Sequence, residues 1–109
     1  MDLKQLTDEM NRFVTAKGWY DEDSRRSQTP RNLAISLTLE ASEVLEHFQW
    51  SEKAADLDDL QDELADVALY LLQLSSITGI NLEEAILAKL RKNYNRTWDL
   101  ENPDVEESK

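Results

Sequence analysis

Apolar residues recur at intervals of three and four along four stretches of the chain, the spacing of helices that each bury one side. The first stretch places Leu3, Leu6, Met10, Phe13 and Val14 on one face and stops at Lys17-Gly18, where glycine accepts the left-handed conformation that closes a helix. From Trp19 to Gln28 the chain is polar and without period, which predicts a connection long enough to fold over a site. Thr29-Pro30 reads as an N-cap followed by proline at the first helical position. The second helix then runs to about Trp50, with Leu33, Leu37, Ala41, Val44 and Phe48 as its seam and Glu40, Glu43 and His47 flanking it.

A third helix is predicted from about Leu57 through Leu60, Leu64, Val67, Leu71 and Leu74 to Gly79, with Glu63, Asp66 and Tyr70 sharing a second face. Asn81 and Glu84 fit a capping box, and Ile80 and Ala85 its hydrophobic staple, opening a fourth helix whose Leu82, Ala85, Ile86 and Leu90 face the core. Past Asn95 the period is lost, Pro103 follows, and 101–109 reads as an acidic tail that frays. The expectation is an all-α bundle of four to five helices over residues 1–100. Ala65, Leu69, Leu72 and Ile77 widen the apolar surface of the third helix beyond one stripe, which predicts a homo-oligomer, a homodimer or homotetramer.

Composition narrows the partners. At 109 residues the chain has room for one modest core, and its formal charge of -11, from 23 acidic against 12 basic side chains, repels phosphate backbones and anionic lipid. Duplex nucleic acid and membranes are therefore excluded as expected partners. A small anion remains admissible where a cation stands between it and the acids. The absence of cysteine removes disulfides, thiolate zinc sites and cysteine nucleophiles, and is compatible with a reducing compartment. Without a signal pattern at Met1-Asp2-Leu3-Lys4-Gln5 or an apolar run of membrane length, the expectation is a soluble cytoplasmic protein.

Glu40/Glu43 and Glu63/Asp66 are each three residues apart, so each pair forms a two-carboxylate edge on its helix. Antiparallel packing of the second and third helices would bring the edges together. Like charges that close repel by about 4 kcal/mol per pair at an effective dielectric near 20, and a divalent cation relieves this most cheaply. Hard oxygen donors suit magnesium or manganese rather than zinc or copper. Spacing by itself is also satisfied by Asp56/Asp59 and Asp59/Asp62, and a solvated acidic face is the commoner source of such spacing. Glu40 and Glu43 differ in their setting, with small or apolar neighbours throughout Leu33–Leu45. A di-iron carboxylate bundle wants histidine three residues after glutamate, whereas the only histidine, His47, follows Val44.

Thr29–Ala34, Leu39–Trp50, Asp62–Leu71, and Lys89 with Asn93 together resemble the MazG-like nucleotide pyrophosphohydrolases, closest to their dCTP pyrophosphatase branch. The resemblance implies an all-α MazG-like bundle that cleaves a nucleoside triphosphate between the α and β phosphates. It implies Mg2+, or Mn2+, held by Glu40, Glu43, Glu63 and Asp66, with Glu40 or Glu43 as the base and Lys89 meeting the outer phosphates beside Asn93 and Arg96. Trp50 would stack the base, with Trp19 a second such ring and Phe48, on the apolar seam, divided between core packing and stacking. His47 is expected behind the metal ligands or on the surface. Without the resemblance, Lys89 and Asn93 read as an exposed helix face, and the whole chain as a non-catalytic acidic interaction module.

Overall fold

The computed structural model describes residues 1–25 and 27–96. Those residues form four helices: α1 (Leu3–Ala16), α2 (Pro30–Glu46), α3 (Leu57–Ile77) and α4 (Leu82–Tyr94). The acidic tail expected at 101–109 lies outside the described residues. Among the described residues no helix is long and apolar enough to cross a membrane.

Each helix begins on a side chain that satisfies its free N–H groups. Asp2 and Gln5 form a reciprocal capping box on α1, Asp2 Oδ1 accepting from Gln5 N at 2.8 Å and Gln5 Oε1 from Asp2 N at 2.9 Å. Thr29 Oγ1 accepts from Asn32 N on α2, Asp56 Oδ1 from Asp58 N and Asp59 N on α3, and Asn81 Oδ1 from Glu84 N on α4. The ends of α1 and α3 are closed alike. Gly18 and Gly79 take φ of +69° and +76°, and Trp19 N–H reaches back to Val14 O at 3.2 Å as Ile80 N–H does to Ser75 O at 2.8 Å. The first of these closures folds Trp19 back so that its indole meets Phe13 edge-on, 5.4 Å between centroids.

The second helix ends at Glu46, short of the expected Trp50. His47 N–H bonds Val44 O and Phe48 N–H bonds Leu45 O, the tighter i→i−3 pattern of a terminating turn, so Phe48 and Trp50 stand beyond the helix. Phe48 is consequently exposed rather than part of the core seam.

His47, just past the end of α2, meets Glu63, and Gln28, just before its start, meets the later Gln73 of α3, so the two helices run antiparallel. α1 packs across α3, and α4 makes its helix contacts with α1. Met10, Val14 and Leu72 form the buried cluster, with Leu3, Trp19, Tyr20 and Leu82 against it. Leu33, 2% exposed, is buried separately where α2 meets α3. The core predicted for α4 is corrected: Leu82 packs inward, but Ala85, Ile86 and Leu90 are exposed and no residue of α4 is fully buried. On α3, likewise, Leu57, Leu64 and Leu71 of the predicted seam are exposed, while Leu72, Gln73 and Ser75 are buried. Period identifies the stripe that favours burial, but not whether its cover belongs to the same chain.

Candidate functional site

Antiparallel packing sets the edge of α2 that carries Glu40 and Glu43 against the edge of α3 that carries Glu63 and Asp66. Glu40 registers the result. Its carboxyl is held above the ordinary glutamate range first by burial, then by a hydrogen bond with the Glu43 carboxyl and by the charges of Glu43, Asp66 and Glu63. Its Oε2 is shielded from solvent and has no hydrogen-bond partner. A buried carboxylate oxygen without a donor, ringed by three like charges, is satisfied by a proton or by a cation. The donors are hard oxygens, so the residues present fit magnesium or manganese chemically. Their present rotamers are not a ready cage: among the described residues, no three His, Asp or Glu side chains are gathered to grip a metal. It is the helical positions that converge, while Glu63 Oε2 is turned to His47 Nε2.

A raised carboxyl pKa carries a definite pH signature. The folded state holds the Glu40 proton more tightly than the unfolded chain, so this stabilisation is complete below the unfolded value near 4.5 and is lost as pH rises through the higher folded one. Metal-free protein is therefore expected to lose stability over that window. Subtracting urea-unfolding curves of Glu40→Gln from those of wild type at successive pH values isolates the effect, and a flat difference would contradict it.

Asp66 has a second role. It lines an apolar cavity of about 530 Å³ walled by Met10, Phe13, Val14, Trp19, Leu69 and Tyr70. A more polar cavity of about 330 Å³, lined by Arg25, Ser27, Gln28, Asn32 and Ser36, shares Trp19, Tyr70 and Gln73 with the first. Gln73, only 5% exposed, donates Nε2 to Gln28 Oε1. Tyr20 donates its hydroxyl to Asn11 Oδ1 at 2.7 Å, and Asn11 Nδ2 donates to Ser76 Oγ at 2.9 Å. Burial raises the Tyr20 pKa, against a smaller lowering by its hydrogen bond with Gln73. The carboxylates thus adjoin a flat-walled hollow with an amide-rich wall, an arrangement able to receive a planar heterocycle next to an anion-bridging cation. The sequence reading missed Gln73, Asn11 and Tyr20. One signal was present: Gln73 is the polar residue inside Leu71-Leu72-Gln73-Leu74, one turn beyond Tyr70 and two beyond Asp66.

Of the proposed aromatic residues, the structure brings Trp19 to the site and not Trp50, which is 89% exposed past the end of α2 and lines neither cavity. Phe48 leans on the His47 ring at 6.5 Å between centroids. Lys89, Asn93 and Arg96 are half-buried on or just after α4, the helix that packs on α1 rather than along α2.

Residues 35–108 match the MazG-like family model, a span that includes both acid pairs and α4. The chain belongs to the MazG-like family. Among this MazG-like chain's relatives, dCTP pyrophosphatase 1 of Homo sapiens is 34% identical over 108 residues, covering 87% of this chain and 56% of the human protein. The Bos taurus protein of that name is 33% identical over 108 residues, with 87% and 57% covered. The chain thus spans a little over half the length of these relatives. A crystal structure of a pyrophosphatase from Archaeoglobus fulgidus superposes with a TM-score of 0.68 at 34% identity, covering 84% of this chain and 87% of that one.

Proposed function

We propose that this MazG-like protein hydrolyses a nucleoside triphosphate between its α and β phosphates, releasing the monophosphate and pyrophosphate, with a dCTP-like or modified deoxynucleotide as substrate in nucleotide-pool housecleaning. The observation that carries the reading is the double position of Asp66, in the carboxylate group beside Glu40 and on the wall of the Trp19 cavity. A ligand seated there has its flat part against Trp19 and its charged part at the acids. The names of the relatives supply the class of ligand.

Glu40, Glu43, Glu63 and Asp66 would hold Mg2+ or Mn2+, which supplies charge neutralisation at the phosphoryl oxygens and a more acidic water. Glu40 or Glu43 accepts the proton of the attacking water, general-base work for which a positioned carboxylate is suited. Trp19 stacks the base. Lys89, with Asn93 and Arg96, meets the outer phosphates and offsets charge on the leaving pyrophosphate. We assign the protein to a homodimer or homotetramer in the cytoplasm. The support for assembly is the exposed apolar face of α4 with Leu39, Leu45, Leu64 and Leu71 on α2 and α3, more uncovered apolar side chain than a small monomer ordinarily carries.

Incubation with Mg2+ and each deoxynucleoside triphosphate in turn, with separate assays for pyrophosphate and phosphate, tests the proposal. Pyrophosphate with the matching monophosphate is expected for at least one substrate. Release of single phosphate, or no turnover with either Mg2+ or Mn2+, contradicts it. Trp19→Ala is expected to raise KM by roughly 5- to 150-fold, the equivalent of about 1–3 kcal/mol for one stacked base, with a smaller change in kcat. Steady-state kinetics on the preferred substrate checks this, and an unchanged KM would remove Trp19 from the base site.

A further inference from the structure

The only histidine of the chain is committed to a carboxylate. His47 caps the C-terminal end of α2, its side chain is 11% exposed, and its Nε2 meets Glu63 Oε2, sixteen residues away on α3. His47 stands one turn beyond Glu43 and two beyond Glu40, so all three fall on one stripe of α2, the stripe that faces Glu63 and Asp66. The Phe48 ring leans on the imidazole from the side.

We propose that His47 is a positioning residue for the carboxylate quartet: its Nε2–H, donated to Glu63 Oε2, fixes the Glu63 side chain and leaves the second oxygen for a divalent cation. The proposal rests on the cation reading of the four acids given above. Glu63 has three rotatable bonds, and confining such a side chain costs rotamer entropy, a cost otherwise met at the moment of binding. A hydrogen bond from the neighbouring helix meets part of that cost when the chain folds. It also sets a donor against Glu63, offsetting the repulsion that the other three acids exert on its carboxylate. Nε2 carries a hydrogen in the donating tautomer and in the doubly protonated ring alike, so the role requires no change of charge. Partners that orient metal ligands typically account for 10–100-fold in metal affinity, which sets the scale of the expected effect.

The test is Mn2+ titration of the metal-free full chain by calorimetry for wild type, His47→Gln, His47→Asn and His47→Leu, with metal-free thermal unfolding of each alongside. Gln places an N–H near Nε2, Asn places one near Nδ1, and Leu fills the space without a donor. His47→Leu and His47→Asn are expected to bind Mn2+ 10–100-fold more weakly, and His47→Gln within about threefold of wild type. At saturating Mn2+ the turnover of all four converges, whereas the concentration for half-maximal rate follows the affinities. If His47→Leu proves too unstable to titrate, the Gln and Asn pair decides. Wild-type affinity in His47→Leu or His47→Asn, or loss in His47→Gln as large as in His47→Asn, overturns the positioning role while leaving the cation reading intact. A wild-type chain that takes up no Mn2+ overturns both.

Discussion

Glu40→Gln is expected to reduce pyrophosphate release by about 10²–10⁴-fold or more while the protein stays folded, and Asp66→Asn to do the same. Removing a carboxylate from a site that binds a divalent cation through several of them removes a ligand, and at Glu40 it also removes one of the two candidate bases. Folding moves the other way. Glu40 is half-buried beside three like charges, so its amide counterpart relieves repulsion in the metal-free state and is expected to unfold at the same or a higher temperature near neutral pH. Asp66 is not a structural anchor, since it is exposed. Activity loss without stability loss therefore separates a catalytic carboxylate from one that supports the fold. Turnover at wild-type rates in both variants would refute the metal assignment.

Leu33→Ala is expected to cost about 2–5 kcal/mol of stability. Among the described residues Leu33 is the largest fully buried side chain, set at the α2–α3 contact that also positions the four acids. A chain of this size with few fully buried apolar residues has little reserve, so the urea midpoint should fall by roughly 1–3 M at an ordinary slope. The loss should extend to the site, because the register of α2 on α3 is what opposes Glu40 to Asp66. Equilibrium unfolding monitored by circular dichroism at fixed protein concentration measures the effect. A midpoint within a few tenths molar of wild type would mean that another surface, not this contact, holds the two helices together.

The parts of the fold legible from sequence were those that local chemistry decides. Thr29-Pro30 and Asn81 cap helices because their oxygens reach N–H groups three residues on, and Gly18 and Gly79 end helices because their positive φ is strained for other residues. The end of α2 was misplaced because Phe48 continues the apolar period while the backbone has already tightened at His47. Spacing foresees more apolar surface on α3 than one stripe, in keeping with exposed Leu69, but assigns Leu64, Leu71 and the stripe of α4 to the chain's own core: an apolar stripe specifies burial, and nothing in its spacing names the covering surface. In the site, Glu40/Glu43 and Glu63/Asp66 were legible because three-residue spacing fixes a helix edge. The contacts of His47 with Glu63 and of Gln28 with Gln73 join residues 16 and 45 positions apart, and depend on the rotation and register of packed helices. The choice between Trp19 and Trp50 was equally non-local, set by a glycine closure that folds one indole over the core and a helix end that leaves the other in solvent.

The shared cation is tested most directly by anomalous scattering from crystals grown with Mn2+ and a non-hydrolysable deoxynucleoside triphosphate. The account predicts a manganese peak within coordination distance, roughly 2.0–2.3 Å, of oxygens from both helices, including Glu40 or Glu43 on α2 and Glu63 or Asp66 on α3. A nucleotide bound with no manganese between those helices, or manganese held elsewhere while all four carboxylates point into solvent, would contradict it.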